Sequence, residues 1–330
     1  MSNVAHPFMF MLPSIIIGGI IQQSASMSDK TSHSSMTTPW LTPAEHDLWY
    51  RNLCEYVPIF ALMGLFWFAI LLASKQLWPL DDLGVPEKSR NKWHNDIVGS
   101  THALFAIAGG SYAMFACREE LLRSETTTYA TSHAFVVISG VGFSYFFYDT
   151  MFIILSRQFG AGGPVIIVHH LIFVLGYLVS ALYPASSHMR SYYLFQLTEL
   201  STVFLHLNWF IDKSHVKGLP IFYNGLVLLA TFVARVVLTY MAAYHENTSL
   251  LRNGMWDFPT PPQLYESFPS LPWHAIVRAY VFMHSVLPIF MAMLNTYWFY
   301  LLAKQSMAYV KGDKSANEGV PSRGQKKKLK

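Results

Sequence analysis

Apolar residues along this chain fall in long continuous blocks instead of alternating with polar residues. An α-helix needs about 20 apolar residues to cross the hydrocarbon core of a bilayer. Several blocks meet or approach that length, and polar loops separate them. The pattern predicts transmembrane helices at 57–74, 97–116, 133–155, 164–183, 191–211, 219–244 and 276–303. The predicted fold class is all-α, a polytopic membrane helix bundle with about seven transmembrane helices.

The composition agrees with this class of protein. The chain is 52% hydrophobic and 13% charged, which is typical of a membrane protein. Its two cysteines, Cys54 and Cys117, match no metal-binding spacing and are too few for a disulfide framework, so we treat them as unpaired. Lysines crowd the C-terminus, where a membrane-surface or sorting role is favoured over nucleic-acid binding. We therefore expect membrane lipid, and no nucleic acid, as a partner.

The distribution of lysine and arginine between alternate loops predicts the orientation in the membrane. Fifteen lie in the even-numbered loops and the C-terminal tail, against six on the opposite side, so the tail is predicted to be cytosolic. Asn247-Thr248-Ser249 is an N-glycosylation sequon on the predicted lumenal side. Lys327 and Lys328 match the dilysine retrieval signal of the endoplasmic reticulum. These features predict a multi-pass protein of the endoplasmic reticulum, although such a tail also binds anionic lipid.

The fourth predicted helix carries two adjacent histidines, His169 and His170, about a third of the way along. A charged side chain at that depth costs roughly 2.5 kcal/mol or more, and it persists mainly where it faces a protein-lined cavity. Neighbouring residues lie about 100° apart around a helix, so both rings can border one cavity. A purely structural role needs one of them alone, which favours a functional site at this pair.

Polar residues in the other predicted helices line up on single faces. Tyr145 and Asp149 are four residues apart and therefore share a face. Glu199, Thr202 and His206 follow the spacing i, i+3, i+7, which makes one stripe of a carboxylate, a hydroxyl and an imidazole. Lipid cannot satisfy these groups, so we expect the stripes to converge on a common interior. Further members of that interior are His102, Arg235 and His284.

A structural role stays open for each of these groups taken alone. A single intramembrane histidine, such as His206 or His284, is often a hydrogen-bonding contact between helices. Asp149, Glu199 and Arg235 can form a buried charge network that holds the bundle together, because perturbed ionisable groups are structural as well as functional. The spacing by itself does not separate these roles from a site for ligand or catalysis.

A particular order of motifs runs through the middle of the chain. It consists of Tyr148-Asp149, the Gly-Gly-Pro turn at 162–164, the pair His169-His170 and the stretch Glu199-Leu200-Ser201-Thr202. This order resembles the TLC domain family, which includes ceramide synthases, translocating-chain-associated membrane proteins and small six-helix proteins of lipid homeostasis. The resemblance covers about 92–304. With Arg235 in the following span and His102 in an earlier one, the chain is more similar to the small TLC-domain proteins than to the synthases.

The resemblance implies a bundle in which six or so helices surround a lipid-sized cavity in the membrane of the endoplasmic reticulum. Ceramide synthases carry an Asp-x-x-Asp pair at a fixed distance after the two histidines. In this chain Gln196 and Glu199 fall near those places, so one of the two acids is present. This departure, together with the lack of a homeobox-like segment, argues against a direct transfer of the synthase activity.

Two functions remain as alternatives. The first is the binding or sensing of a membrane lipid in the cavity, acting in membrane lipid homeostasis. The second is acyl transfer from acyl-CoA to an amine or hydroxyl of a lipid, with His169, His170, Asp149 and Glu199 as catalytic residues. The substrate-binding residues would be His102, Tyr145, Thr202, His206, Arg235 and His284. Neither function needs a cofactor or a metal, since acyl-CoA would be a substrate, and the histidine boxes of a di-iron desaturase do not occur in the sequence.

We divide the chain into four regions. Residues 1–50 hold a short apolar run at 7–21 and a Ser/Thr-rich linker, and residues 51–91 hold the first transmembrane helix and a cytosolic loop. Residues 92–304 form the TLC domain, and 305–330 form a basic cytosolic tail. The apolar run does not match a cleaved signal peptide, because no lysine or arginine precedes it. It is predicted to be a weak anchor, an interfacial segment or an additional span.

Overall fold

The computed structural model describes residues 43–118, 132–156, 163–182, 189–213, 220–252 and 272–310. Within those ranges every regular element is helical, which confirms the all-α prediction. In chain order the helices are α1 (Pro43–Leu77), α2 (Glu87–Ala116), α3 (His133–Ser156), α4 (Gly163–Leu182), α5 (Met189–Leu197), α6 (Leu200–Lys213), α7 (Pro220–Thr231), α8 (Leu238–Arg252) and α9 (Trp273–Val310). A π-helical segment, Phe232–Val237, joins α7 to α8.

Four segments of the described chain are long and apolar enough to cross a membrane, and a fifth, in α4, is shorter. The four are Cys54–Leu77, His133–Ser156, Leu226–Leu251 and Trp273–Lys304. They make this a multi-pass helical membrane protein. Helix α2 is less apolar, because it carries many polar side chains, several of them buried. The break between α5 and α6 leaves helices of 9 and 14 residues, which are too short to cross a bilayer.

Helix α3 lies at the centre of the bundle and packs against α1, α2 and α4. Its contact with α1 is the most extensive one in the described chain. The two helices approach closely at Gly140, where a Cβ would lie 2.7 Å from Cγ2 of Ile59. The rings of Phe60 and Phe143 fill the next part of the contact, with centroids 4.8 Å apart. This packing holds α3 so that Asp149 faces α2 and α4.

A tight turn between α1 and α2 fixes where α2 begins. Gly84 has a φ of 67°, which is the left-handed region that glycine adopts without strain. Arg90 pairs with Asp81 across the turn. Helix α2 therefore starts at Glu87, well before the predicted start at 97. The longer helix thereby includes further polar residues, among them Lys88, Lys92, Asn95 and Asp96.

Two irregularities occur in helices that the sequence predicts as continuous. The predicted helix at 191–211 is divided into α5 and α6, and Glu199 lies in the turn between them. The backbone bonds there span three residues, as in the bond from the Glu199 N–H to the Gln196 carbonyl at 3.2 Å. The second irregularity is the π segment, which contains Arg235. Breaks of this kind often accompany functional sites, and regular helical periodicity does not predict them.

The predicted anchor, sorting signal and glycosylation site have different places relative to the described helices. The apolar run at 7–21 and the dilysine signal at 327–328 are outside the described residues. Asn247 lies within α8, and its side-chain amide donates to the carbonyls of Ala243 at 3.0 Å and Ser285 at 3.2 Å. A glycan would replace a hydrogen on that nitrogen, so modification requires this turn of α8 to open.

Candidate functional site

A cavity of about 590 Å³ lies between α2, α3, α4, α6, the π segment and α9. It is the place where most of the predicted polar stripes meet. The predicted residues that line it are His169, His170, Asp149, Glu199, Tyr145, Thr202, His206 and Arg235. Apolar side chains complete the walls, among them Phe146, Ile166, Leu205 and Trp298.

The two histidines of α4 are both buried but have different surroundings. Nδ1 of His170 lies 3.3 Å from Oδ2 of Asp149, which is close enough for an ion pair although not aligned for a hydrogen bond. Asn95 holds the other carboxylate oxygen, because its Nδ2 donates to Oδ1 of Asp149 at 2.5 Å. The ring of His169 instead packs edge-on against Trp298. Of the two histidines, His170 is therefore the one whose ring lies beside a carboxylate.

A second network joins the α5–α6 break to the π segment. Nε of Arg235 donates to Oγ of Ser201 at 2.7 Å, and its Nη2 donates to Oγ1 of Thr202 at 2.6 Å. The Thr202 hydroxyl in turn donates to Oε2 of Glu199 at 2.6 Å. The guanidinium lies 4.0 Å from that same carboxylate oxygen. A cation and a carboxylate are thus held together with a hydroxyl between them.

The cavity is basic at one end and acidic further in. Lys88, Lys92 and Lys213 line the outer end, where the first two are exposed. Lys92 pairs with Asp96 one helical turn later, and its Nζ lies 4.5 Å from the centre of the Trp209 ring. All three lysines belong to loops or helix ends that the charge distribution predicts to be cytosolic.

His206 lies between these two zones. Its Nδ1 is 3.0 Å from Oγ of Ser100, and its Nε2 is 3.9 Å from Oδ1 of Asp96. The close approach of α2 and α6 here depends on Gly99. A Cβ at that position would lie 2.7 Å from Cε1 of His206 and 2.9 Å from the hydroxyl oxygen of Tyr145.

Two predicted residues are not among those that line the cavity. His102 lies behind its wall, where its ring stacks on Tyr145 at a centroid distance of 3.8 Å. Neither ring nitrogen of His102 has a hydrogen-bond partner in the described part of the chain. His284 lies in a separate pocket, between Ser180 and Glu246. The structure therefore divides the predicted set into two sites.

Among the polar residues that shape these sites and that sequence reasoning missed are Asn95, Asp96 and Glu246. The first two precede the predicted helix at 97–116, and Glu246 follows the predicted end at 244. One signal could have placed Asn95 and Asp96 on a helix. Lys92 and Asp96 have the i, i+4 spacing of a helical ion pair.

The arrangement in the cavity fits either recognition or proton transfer. A neutral imidazole that a carboxylate orients can take a proton from a hydroxyl or an amine. His170 beside Asp149 provides such a group. Arg235 and the outer lysines offer positive charge to phosphate or carboxylate groups. The cavity volume lies within the range of about 300–1,000 Å³ that is typical of ligand pockets.

Comparison with known proteins gives a match for most of this region. The family model described as TLC domain matches residues 92–304. The chain is also similar to TLC domain-containing protein 4 A from Dictyostelium discoideum, with 24% identity over 171 residues. That match covers 49% of this chain, and the chain spans 65% of the relative's length. No solved structure matches the chain.

Proposed function

This chain belongs to the TLC domain family, and from that premise we propose that it binds or senses a membrane lipid in its cavity and so acts in membrane lipid homeostasis. The observation that carries the proposal is a buried polar network in a cavity with partly apolar walls, between the helices of a multi-pass membrane protein. Arg235, Thr202 and Glu199 offer donors and acceptors to a headgroup, while Phe146 and Trp298 offer apolar surface to an acyl chain.

The proposed location is the endoplasmic reticulum, with the outer end of the cavity on the cytosolic side. The dilysine pair at 327–328 supports the compartment. The grouping of Lys88, Lys92 and Lys213 at one end of the cavity supports the orientation, since cytosolic surfaces of membrane proteins are enriched in lysine and arginine. A lipid entering from the cytosolic leaflet would meet this end first.

A pair of substitutions on α6 tests the lipid-binding proposal. Leu205 lines the cavity, whereas Leu207 is 45% exposed on another face of the same helix. Leu205→Trp should fill part of the cavity, and Leu207→Trp should leave it unchanged. Native mass spectrometry of the protein purified in nanodiscs measures the lipid that stays bound. We expect bound lipid in the wild type and in Leu207→Trp, and its loss in Leu205→Trp.

An empty wild-type protein would contradict the proposal. So would a lipid that the Leu205→Trp protein retains as well as the wild type does, because the bound lipid would then lie elsewhere on the surface. Circular dichroism of both variants shows whether the helices are intact.

A second candidate function is acyl transfer from acyl-CoA to a lipid amine or hydroxyl, and the basic outer end of the cavity favours it. Lys88, Lys92 and Lys213 are suitable partners for the phosphates of CoA. His170 would take the proton of the acceptor as the acceptor attacks the thioester carbonyl. The carbon–sulfur bond then breaks, and the CoA thiolate leaves with that proton. Asp149 would stabilise the imidazolium in between.

An assay with labelled acyl-CoA and a panel of lipid amines and alcohols tests this second function. His170→Gln should abolish turnover. His133→Gln is the matched control, because the His133 side chain is 72% exposed and pairs with Glu55, far from the cavity. Absence of turnover in the wild type with every acceptor, or equal turnover in His170→Gln, would exclude acyl transfer while leaving lipid binding in place.

A further inference from the structure

A second polar cluster lies in a smaller pocket of about 70 Å³ between α4, α5, α8 and α9. Oγ of Ser180 lies 2.9 Å from Nε2 of His284. Nδ1 of the same ring lies 3.1 Å from Oε1 of Glu246, which is close enough for an ion pair although the two atoms are not aligned for a hydrogen bond. Oε2 of Glu246 accepts a hydrogen bond from the hydroxyl of Ser191. The imidazole therefore lies between a hydroxyl and a carboxylate. The hydroxyl is near one ring nitrogen, and the carboxylate is near the other.

We propose that Ser180, His284 and Glu246 form a reactive-serine site that hydrolyses a carboxylic ester of a lipid. The order of contacts is the one that nucleophilic catalysis by serine requires. The neighbouring carboxylate favours the tautomer with hydrogen on Nδ1, in which Nε2 carries no hydrogen and can accept the serine proton. This site is independent of the cavity and of the function proposed for it.

Packing holds the three groups in place. Ser180 and Glu246 are buried, with exposures of 7% and 1%. The ring of Tyr280 packs against the imidazole of His284 at a centroid distance of 4.3 Å. Ser191 fixes the carboxylate from α5, so three helices besides α4 contribute to the geometry. A group that is held in this way needs little rearrangement when it reacts.

The serine hydroxyl has two acceptors within reach. Its Oγ lies 2.7 Å from the carbonyl of Gly176, one turn earlier in α4, as well as 2.9 Å from Nε2 of His284. Rotation about the Cβ–Oγ bond directs the hydrogen to the imidazole, which is the reactive arrangement. Ser156 also donates to the carbonyl four residues before it, at 2.6 Å, but in the described chain it has no contact with a histidine. It is therefore a matched control.

The walls of the pocket indicate the class of substrate. They are apolar on most sides, with Ile172, Phe173, Leu287 and Met291 among the lining residues. Gly176 lines the pocket too, and a Cβ there would meet nothing within 4 Å, so space adjoins the serine. The apolar character of these walls favours an ester with an apolar acyl chain. Ser180 lies near the end of α4 and Ser191 near the start of α5.

The reaction has two balanced steps. First, Oγ of Ser180 bonds to the ester carbonyl carbon, its proton moves to Nε2 of His284, and the alcohol leaves with that proton as the ester C–O bond breaks. Second, water attacks the acyl-serine and gives its proton to the same nitrogen. The carboxylic acid then leaves as the Ser180 hydroxyl is restored.

An alkyl fluorophosphonate tests the site, because it forms a stable bond to an activated serine and displaces fluoride. The wild-type protein in nanodiscs is incubated with the probe, and the modified peptide is identified by mass spectrometry. We expect the adduct on Ser180. His284→Gln and Glu246→Gln should slow labelling by roughly 100-fold or more, in line with the loss of a general base. Ser156→Ala and His170→Gln should label at the wild-type rate.

Two outcomes would overturn the proposal: wild-type protein without an adduct on Ser180, or labelling of Ser180 that is equally fast in His284→Gln. Gly176→Leu provides a second test that does not depend on the folding of the polar variants. Its side chain enters open space and fills the pocket, so labelling should stop while the helical content stays unchanged. Because His170→Gln belongs to the cavity, its result separates this site from the function proposed there.

Discussion

Each of the two sites places a histidine beside a carboxylate, but the sites differ in the group that contacts the other nitrogen of the imidazole. In the cavity His170 faces Asp149, and in the pocket His284 faces Glu246. A further polar group holds each carboxylate, an amide in the first case and a hydroxyl in the second. In the pocket the far nitrogen of the imidazole meets Ser180, so the protein supplies its own nucleophile.

The cavity has several charged groups and room for a ligand. Arg235, Glu199 and the outer lysines line its roughly 590 Å³, whereas the pocket holds about 70 Å³. The same histidine–carboxylate arrangement can therefore have two different chemical roles. In a large charged space it can recognise a headgroup or activate a ligand that enters. In a small apolar space it can activate a fixed side chain. The predictions below test this contrast, from the largest expected effect to the smallest.

Arg235→Leu should destabilise the protein most. It removes the cation from a buried pair and leaves the Glu199 carboxylate facing Thr202 alone. Breaking such a pair by removing one partner costs about 3–5 kcal/mol. Thermal unfolding in nanodiscs measures the loss. The double variant Arg235→Leu/Glu199→Leu should recover part of it, and no recovery would mean that the arginine acts mainly through Ser201 and Thr202.

Glu246→Leu should cost less, because the pocket then loses an acceptor and not the partner of a fixed cation. Ser191 would lose its hydrogen-bond acceptor and His284 the carboxylate beside its ring, at about 1–3 kcal/mol in total. Glu55→Leu is the control. Its carboxylate pairs with an exposed His133, and a surface pair of this kind contributes roughly 0–1 kcal/mol. Equal shifts in the unfolding temperature for both variants would contradict the buried role of Glu246.

Much of the cavity could be predicted from the sequence. Helical spacing aligned Glu199, Thr202 and His206 correctly, although a turn and not a helix holds Glu199. The stripe survives the break because the turn keeps all three on the side of the cavity. The break itself and the π segment could not be predicted, since their polar groups bond across helices and not along them.

Two of the acidic residues that were missed lie at the ends of apolar blocks. Asp96 lies just before the block at 97–116, and Glu246 lies just after the block at 219–244. A block boundary marks where apolar residues stop, but both helices continue past it. Polar residues on such extensions turn inward here and form parts of the two sites. His284 was placed with the cavity because spacing along one helix does not tell which neighbours it faces.

Gly99→Ala should have a smaller effect on stability, of about 1 kcal/mol, at the lower end of the range for overpacking. The added methyl group would lie 2.7 Å from Cε1 of His206 and 2.9 Å from the Tyr145 hydroxyl oxygen, and both are outer parts of their side chains that can shift. The larger consequence should be for ligand binding, since both side chains line the cavity. Retained lipid, measured by native mass spectrometry, should fall. Unchanged lipid would show that His206 and Tyr145 do not touch it.

Gly176→Ala should stabilise the protein, and its effect on stability should be the smallest of the four. Gly176 lies inside α4, and its new methyl group would meet nothing within 4 Å, so no contact opposes the substitution. Alanine in a helix interior is more stable than glycine by roughly 0.5–1 kcal/mol, and the unfolding temperature should rise accordingly. The methyl group is too small to fill the pocket, so fluorophosphonate labelling of Ser180 should continue, unlike in Gly176→Leu. A fall in stability would mean that the open space beside the serine is occupied, and the pocket would then resemble the crowded surroundings of Gly99 rather than differ from them.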